Sequence, residues 1–184
     1  NLNVWRPCDT VEALVAWESA LESRETPSVI IGSRQNIEFI ARSEEMVKAD
    51  AAQALKVGAY VMIESSKGAQ NVDCVLLATG SEVPLAVKAR EVLEAEGVGT
   101  RVVSMPCTEL FDRLSCEQRR QILTDAPKVA IEASVTGLWY KYVGNGAVIG
   151  IDSFGESAPA GVLWEKFGFT VDRVVNAAKK LLTH

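Results

Sequence analysis

The apolar positions of this chain switch between two periods. Val11, Leu14, Val15 and Leu21 recur at helical spacing, with Glu12, Glu18 and Glu22 on the opposite side. Asp9 or Thr10 is placed to cap that helix, and Pro27 stops it. A short β-branched run from Ser28 to Gly32 then reads as a strand. This is one α–β pair, and a lone strand makes no sheet, so the pair reads as a fragment of a larger α/β domain. Between Asn36 and Lys56 the periodicity fades into charge (Arg42, Glu44, Glu45, Lys48, Asp50), the pattern of an interdomain linker with a helical turn.

From Ala59 the pattern becomes regular. Ala59 to Glu64 is strand-like, and Asp73 to Ala78 holds a continuous apolar run, as in a strand covered on both faces. The turn Thr79-Gly80-Ser81-Glu82 leads into a helix capped by Ser81, with Leu85, Ala86, Ala89, Val92 and Leu93 as its inner stripe and Gly97 as its stop. Strands follow at Arg101 to Met105, Lys128 to Glu132 and Ala147 to Ile151, with a helix at Glu117 to Leu123. Ser157 to Phe167 reads as a helix with Pro159 in its first turn. The last helix is capped by Thr170 and carries Val171, Val174, Val175, Ala178, Leu181 and Leu182 on one face. Strands alternating with helices predict an α/β fold: a three-layer α/β/α unit on a mainly parallel sheet of about five strands, preceded by the α–β fragment.

Composition narrows the function. The chain has 184 residues, 48% hydrophobic and 23% charged, enough for one ordinary domain and a fragment of another. A formal net charge of −5, without a basic run, argues against nucleic-acid binding. The sequence shows no bilayer-length apolar stretch and no signal-peptide pattern, so a cytoplasmic protein without a membrane partner is expected. Cys8, Cys74, Cys107 and Cys116 are scattered and fit a reducing compartment. The sole histidine is His184, so neither a zinc site nor a Ser/His or Cys/His catalytic pair is expected.

The candidate chemistry lies at strand ends. Ile30-Ile31-Gly32-Ser33-Arg34-Gln35-Asn36 takes a buried strand out of the core into polar residues. Ligands of α/β proteins sit at such carboxyl ends, and an arginine there offers a planar fork for phosphate or carboxylate. The alternative is an arginine that merely solvates a strand end. Thr79, Gly80 and Ser81 place free amides at a helix start, a candidate anion or effector site, although Glu82 would compete for those amides. Glu132 ends a strand with no histidine beside it, which favours a structural hydrogen bond over catalysis. For Trp139-Tyr140-Lys141-Tyr142-Val143-Gly144 core packing stands ahead of a subunit contact or ligand stacking. Phe154-Gly155-Glu156-Ser157-Ala158-Pro159-Ala160 reads as a structural turn, not a nucleophile elbow.

Taken in order, several of these segments resemble the C-terminal portion of the transketolase family. They are Trp5-Arg6-Pro7-Cys8-Asp9, Ser33-Arg34-Gln35-Asn36, Ala78-Thr79-Gly80-Ser81-Glu82, Arg101-Val102-Val103-Ser104-Met105-Pro106, the Trp139 segment and the Phe154 segment. The same architecture occurs in dihydroxyacetone synthase and 1-deoxyxylulose-5-phosphate synthase. The resemblance implies a homodimeric parent of three α/β domains that uses thiamine diphosphate with Mg or Ca. Such an enzyme moves a two-carbon ketol unit from ketose phosphates to aldose phosphates. Residues 1–39 then correspond to the tail of the pyrimidine-binding middle domain, 40–58 to a linker and 59–184 to the C-terminal domain. The family's G-D-G motif, activating glutamate and active-site histidines are absent from this sequence. No catalytic residue, metal ligand or bound cofactor is therefore expected in this stretch alone. Arg34 resembles the arginine that holds the substrate phosphate. The remainder is expected to act as a scaffold, a dimer contact or an effector-binding domain.

Overall fold

The computed structural model describes residues 1–42 and 56–183, and the helical turn expected within the linker lies outside them. Two sheets form. β1 (Asn3–Trp5) and β2 (Ser28–Ile30) pair in parallel, with Trp5 opposite Ile30, and helix α1 (Thr10–Glu22) connects them. The N-terminal segment is thus a β–α–β unit rather than the single α–β pair expected. A strand as short as β1 carries no readable alternation.

The second sheet contains β3 (Tyr60–Ile63), β4 (Cys74–Ala78), β5 (Thr100–Ser104), β6 (Lys128–Ile131) and β7 (Ala147–Ile149). Its order is β3-β5-β4-β6-β7, with β3 antiparallel to β5 and the other pairs parallel. Side chains alternate between its faces, as a period of two requires. Cys74, Leu76 and Ala78 face α2 (Val83–Ala95) and α7 (Val171–Leu182), which contribute Ala86, Ala89, Leu93, Val174, Val175 and Ala178. Val75 and Leu77 face the other way, toward Met105, Phe111, Leu123, Trp139, Tyr142 and Val143. Those residues come from α3 (Thr108–Phe111), α4 (Cys116–Leu123), α5 (Tyr140–Val143) and the adjoining loops. The expected three-layer α/β/α unit with a mainly parallel sheet forms.

Several local expectations need correction. Helix α1 is rotated from its apolar spacing: Val11 and Val15 face the core as expected, but Glu12 is wholly buried with them and Ala16, while Leu14 and Leu21 are exposed. Val92 of α2 is also largely exposed, at the edge of its stripe. Ser81 does not cap α2. It lies in a 3-10 turn, Gly80–Glu82, whose N-cap is Thr79 without a side-chain bond, and Pro84 sits in the first turn of α2. The helix expected from Ser157 begins at Ala160, as α6 (Ala160–Phe167), because Pro159 biases the residue before it toward extended backbone. Other boundaries hold more closely. Ser115 caps α4 in a full capping box with Gln118, and Thr170 caps α7 by accepting the Arg173 N–H.

The N-terminal unit is docked on the larger one. Trp5 is fully buried with Ala16 and Cys107. The Arg6 N–H donates to the Pro106 carbonyl at 2.8 Å, and the Val4 N–H donates to Glu109 at 3.1 Å. Between the units lies a buried polar cluster. The Glu12 carboxylate accepts from the Cys8 N–H at 2.7 Å, the Tyr60 hydroxyl at 2.9 Å and the Ser104 hydroxyl at 2.6 Å. Arg42 joins it with bonds to Tyr60 and to both oxygens of Asp9, which also caps α1. Burial, then the Glu12 charge, pushes the Cys8 thiol and the Tyr60 hydroxyl far above their ordinary values, so both stay protonated.

Candidate functional site

The carboxyl ends of both sheets meet at one place. In the larger sheet the chain leaves β4 toward β5 on one side and later reaches β6 on the other. The order therefore reverses at the β4–β6 gap, where α/β folds place ligands. Thr79 and Gly80 continue β4, and Glu132 and Ala133 continue β6. The end of β2 arrives at the same point. A cavity of about 170 Å³ is lined by Ile31, Gly32 and Ser33 from that end, by Thr79 to Glu82, and by Arg6. A second cavity, of about 200 Å³, lies beside it and includes Arg6, Thr79, Glu132 and Trp139.

The fold thus brings the two sequence-predicted sites together, the end of β2 and the Thr79–Ser81 turn. Arg34 follows Ser33 and is exposed, and it pairs with no carboxylate among the described residues. It is not itself among the residues that line the cavity, which end at Ser33 on this segment.

The Thr79–Ser81 turn is less inviting to an anion. The Glu82 N–H bonds back to the Thr79 carbonyl, and the Ser81 hydroxyl donates to the Glu82 carboxylate at 2.8 Å. Two buried carboxylates, Glu82 and Glu132, therefore face the crevice. Glu132 accepts the indole N–H of Trp139 and forms an ion pair with Arg6, the structural role expected of it. Trp139 is buried and packs edge-on against Tyr142 at 5.8 Å, so these two aromatics are core while Tyr140 between them is exposed. The Arg6–Glu132 pair was not apparent from the sequence. Each residue sat at a telling place, before Pro7 and at a strand end, but their pairing depends on how the two units dock.

Burial raises the Glu82 carboxyl above the usual range, against the opposing pull of Ser81, Arg6 and backbone amides. A raised value in the fold means that the folded chain keeps a proton the unfolded chain has released. The resulting stabilisation is complete below the unfolded value and is lost as pH rises through the folded one. Stability of the parent relative to Glu82→Gln should therefore fall as pH rises above the ordinary glutamate range. Denaturant titrations of both proteins at several pH values test this, and parallel pH profiles would contradict it.

Among the described residues there is no group of three or more His, Cys, Asp or Glu side chains placed to hold a metal ion, and no helix is long and apolar enough to cross a membrane. Residues 58–170 match the family model described as the transketolase-like TK C-terminal domain. The chain belongs to the transketolase family. Over 99% of its length it is 50% identical to Transketolase 2 of Vibrio parahaemolyticus, and it spans 27% of that relative. Its fold matches a Pichia stipitis transketolase in complex with sedoheptulose-7-phosphate, with a TM-score of 0.87 and 34% identity, over all of this chain and 25% of the other. It also matches a split-gene transketolase described as an inactive β4 tetramer, with a TM-score of 0.74 and 26% identity, over all of this chain and 58% of the other. The chain thus spans about a quarter of the length of the curated relatives it matches.

Proposed function

We propose that this chain serves as the C-terminal part of a thiamine-diphosphate-dependent transketolase, and that Arg34 binds the phosphate of its sugar substrates. The parent enzyme transfers a two-carbon ketol unit from ketose phosphates to aldose phosphates. It is a cytoplasmic homodimer that uses Mg or Ca with the cofactor. Residues 1–39 belong to its middle domain, 40–58 to a linker and 59–184 to its C-terminal domain. The exposed apolar face of α1 (Leu14, Trp17 and Leu21) supports the middle-domain assignment, since such a face suits the rest of an α/β domain.

The observation that carries the reading is the placement of Arg34. It follows the Ile31–Ser33 segment that lines the crevice, is exposed rather than in the core, and pairs with no carboxylate among the described residues. The complex of the Pichia stipitis relative with sedoheptulose-7-phosphate supports a phosphorylated sugar as the ligand class. Among the described residues no group of three or more His, Cys, Asp or Glu side chains is placed to hold a metal ion. The proposal assigns the bond-making groups to the rest of the enzyme. What this stretch supplies is a fixed cation that holds the far end of the substrate and so orients its reacting carbon.

A charge-assisted bond of this kind is worth about 1.5–3 kcal/mol, or roughly 10- to 150-fold in the apparent substrate constant. In a complete transketolase carrying this stretch, Arg34→Ala should raise KM for phosphorylated sugars by that factor and change kcat little. Lysine should restore part of the loss, keeping the charge without the fork. An unphosphorylated substrate should be almost unaffected. Equal losses with both substrates would remove the assignment.

A further inference from the structure

The crevice at the β4–β6 switch point sits where α/β folds bind their ligands, yet it is lined for a cation. Glu132 has a side chain only 5% exposed at the mouth of the gap, oriented by the Trp139 indole. Glu82 faces it from the neighbouring turn and feels the charge of Arg6. Between them lies Arg6, paired with Glu132. The backbone of Arg6 is also held: its N–H bonds to Pro106, and its carbonyl accepts the Thr79 hydroxyl at 3.4 Å. Arg6 lines both cavities, and its side chain is 38% exposed, so the socket is filled but open to solvent. Arg6 directly follows β1, and the Ile31 N–H bonds to the Trp5 carbonyl beside it at 2.8 Å.

We propose that this crevice is a cation socket for a guanidinium group, that its resident ligand is the chain's own Arg6, and that this plug holds the Ile31–Ser33 end of β2 in place. The Glu132 carboxylate, with Glu82 beside it once ionised, repels phosphates and nucleotides and attracts a planar cation. The larger unit therefore uses its ligand-binding position to grip the smaller one. Arg6 and Glu132 are positioning residues for the strand end that carries Arg34. That role in substrate binding, but not the socket itself, rests on the phosphate reading of Arg34.

Ethylguanidinium is the probe, and the 184-residue chain is the protein to test. Arg6→Ala should lower Tm, and millimolar ethylguanidinium should raise the Tm of this variant by a few degrees, because a ligand that binds only the fold stabilises it. It should not raise the Tm of the parent, whose socket is filled, or of an Arg6→Ala/Glu132→Gln double variant, whose socket has lost its charge. Amide exchange at residues 31–36 should quicken about tenfold in Arg6→Ala and in Glu132→Gln, and less in Arg6→Lys. The Lys and Gln variants keep the test informative if the alanine variant does not fold. Equal ethylguanidinium shifts in all three proteins, or unchanged exchange at 31–36 in both Arg6→Lys and Glu132→Gln, would overturn the proposal. Quickened exchange together with an Arg34→Ala loss that ignores the substrate phosphate would support the socket and remove the phosphate reading instead.

Discussion

Glu12→Ala is expected to destabilise the chain by about 3–5 kcal/mol, the range for breaking a buried charged network. Glu12 has no exposed surface and satisfies three donors: the Cys8 N–H, the Tyr60 hydroxyl and the Ser104 hydroxyl. Arg42, also buried, lies 3.8 Å from the same carboxylate. Alanine leaves all three donors unpaired and deprives the arginine of one of its neighbouring negative charges. It also leaves a cavity between the two units. Glutamine should be milder yet still costly. Its oxygen can take over Tyr60 and Ser104, but its NH₂ group then meets the Cys8 N–H, donor against donor. Guanidinium or urea titration of the parent and both variants should rank them parent, glutamine, alanine. A Glu12→Ala midpoint within error of the parent would mean that the two units are not locked together through this cluster.

Trp139→Ala should cost about 3–5 kcal/mol as well, through a different mechanism. The indole is 1% exposed and fills the core between the sheet and α5, against Tyr142 and near Phe111. Its removal opens a large apolar cavity that surrounding residues can close only in part. It also removes the donor that orients Glu132. Trp139→Phe separates the two effects. Most of the ring volume stays and the N–H is lost, so the cost should fall to about 1–3 kcal/mol, the range for an unmet buried hydrogen bond. Thermal denaturation followed by near-UV circular dichroism measures both. If phenylalanine were as damaging as alanine, the hydrogen bond to Glu132 would outweigh packing at this position.

What the sequence revealed, and what it hid, follows from the range of each interaction. Helix α7 was legible because Val171, Val174, Val175 and Ala178 repeat over two turns with a capping threonine before them. The run Cys74–Ala78 was legible because a strand buried on both faces is apolar throughout. Helix α1 misled because it carries two apolar stripes. Its inner one is chosen by partners far away in sequence: Glu12 turns inward to meet Tyr60 and Ser104, and Leu14 and Leu21 turn out. β1 was missed because a strand of three residues shows no alternation. At the site, the strand end that lines the crevice could be singled out from its sequence neighbours. The Arg6–Glu132 pair could not, since nothing local to either residue points to the other.

The most direct test of the whole account is a crystal structure of a complete transketolase carrying this stretch, soaked with a phosphorylated ketose. The account predicts phosphate oxygens within about 2.7–3.2 Å of the Arg34 guanidinium, with Arg6 still paired to Glu132. A phosphate held elsewhere, with the Arg34 side chain pointing into solvent, would contradict it.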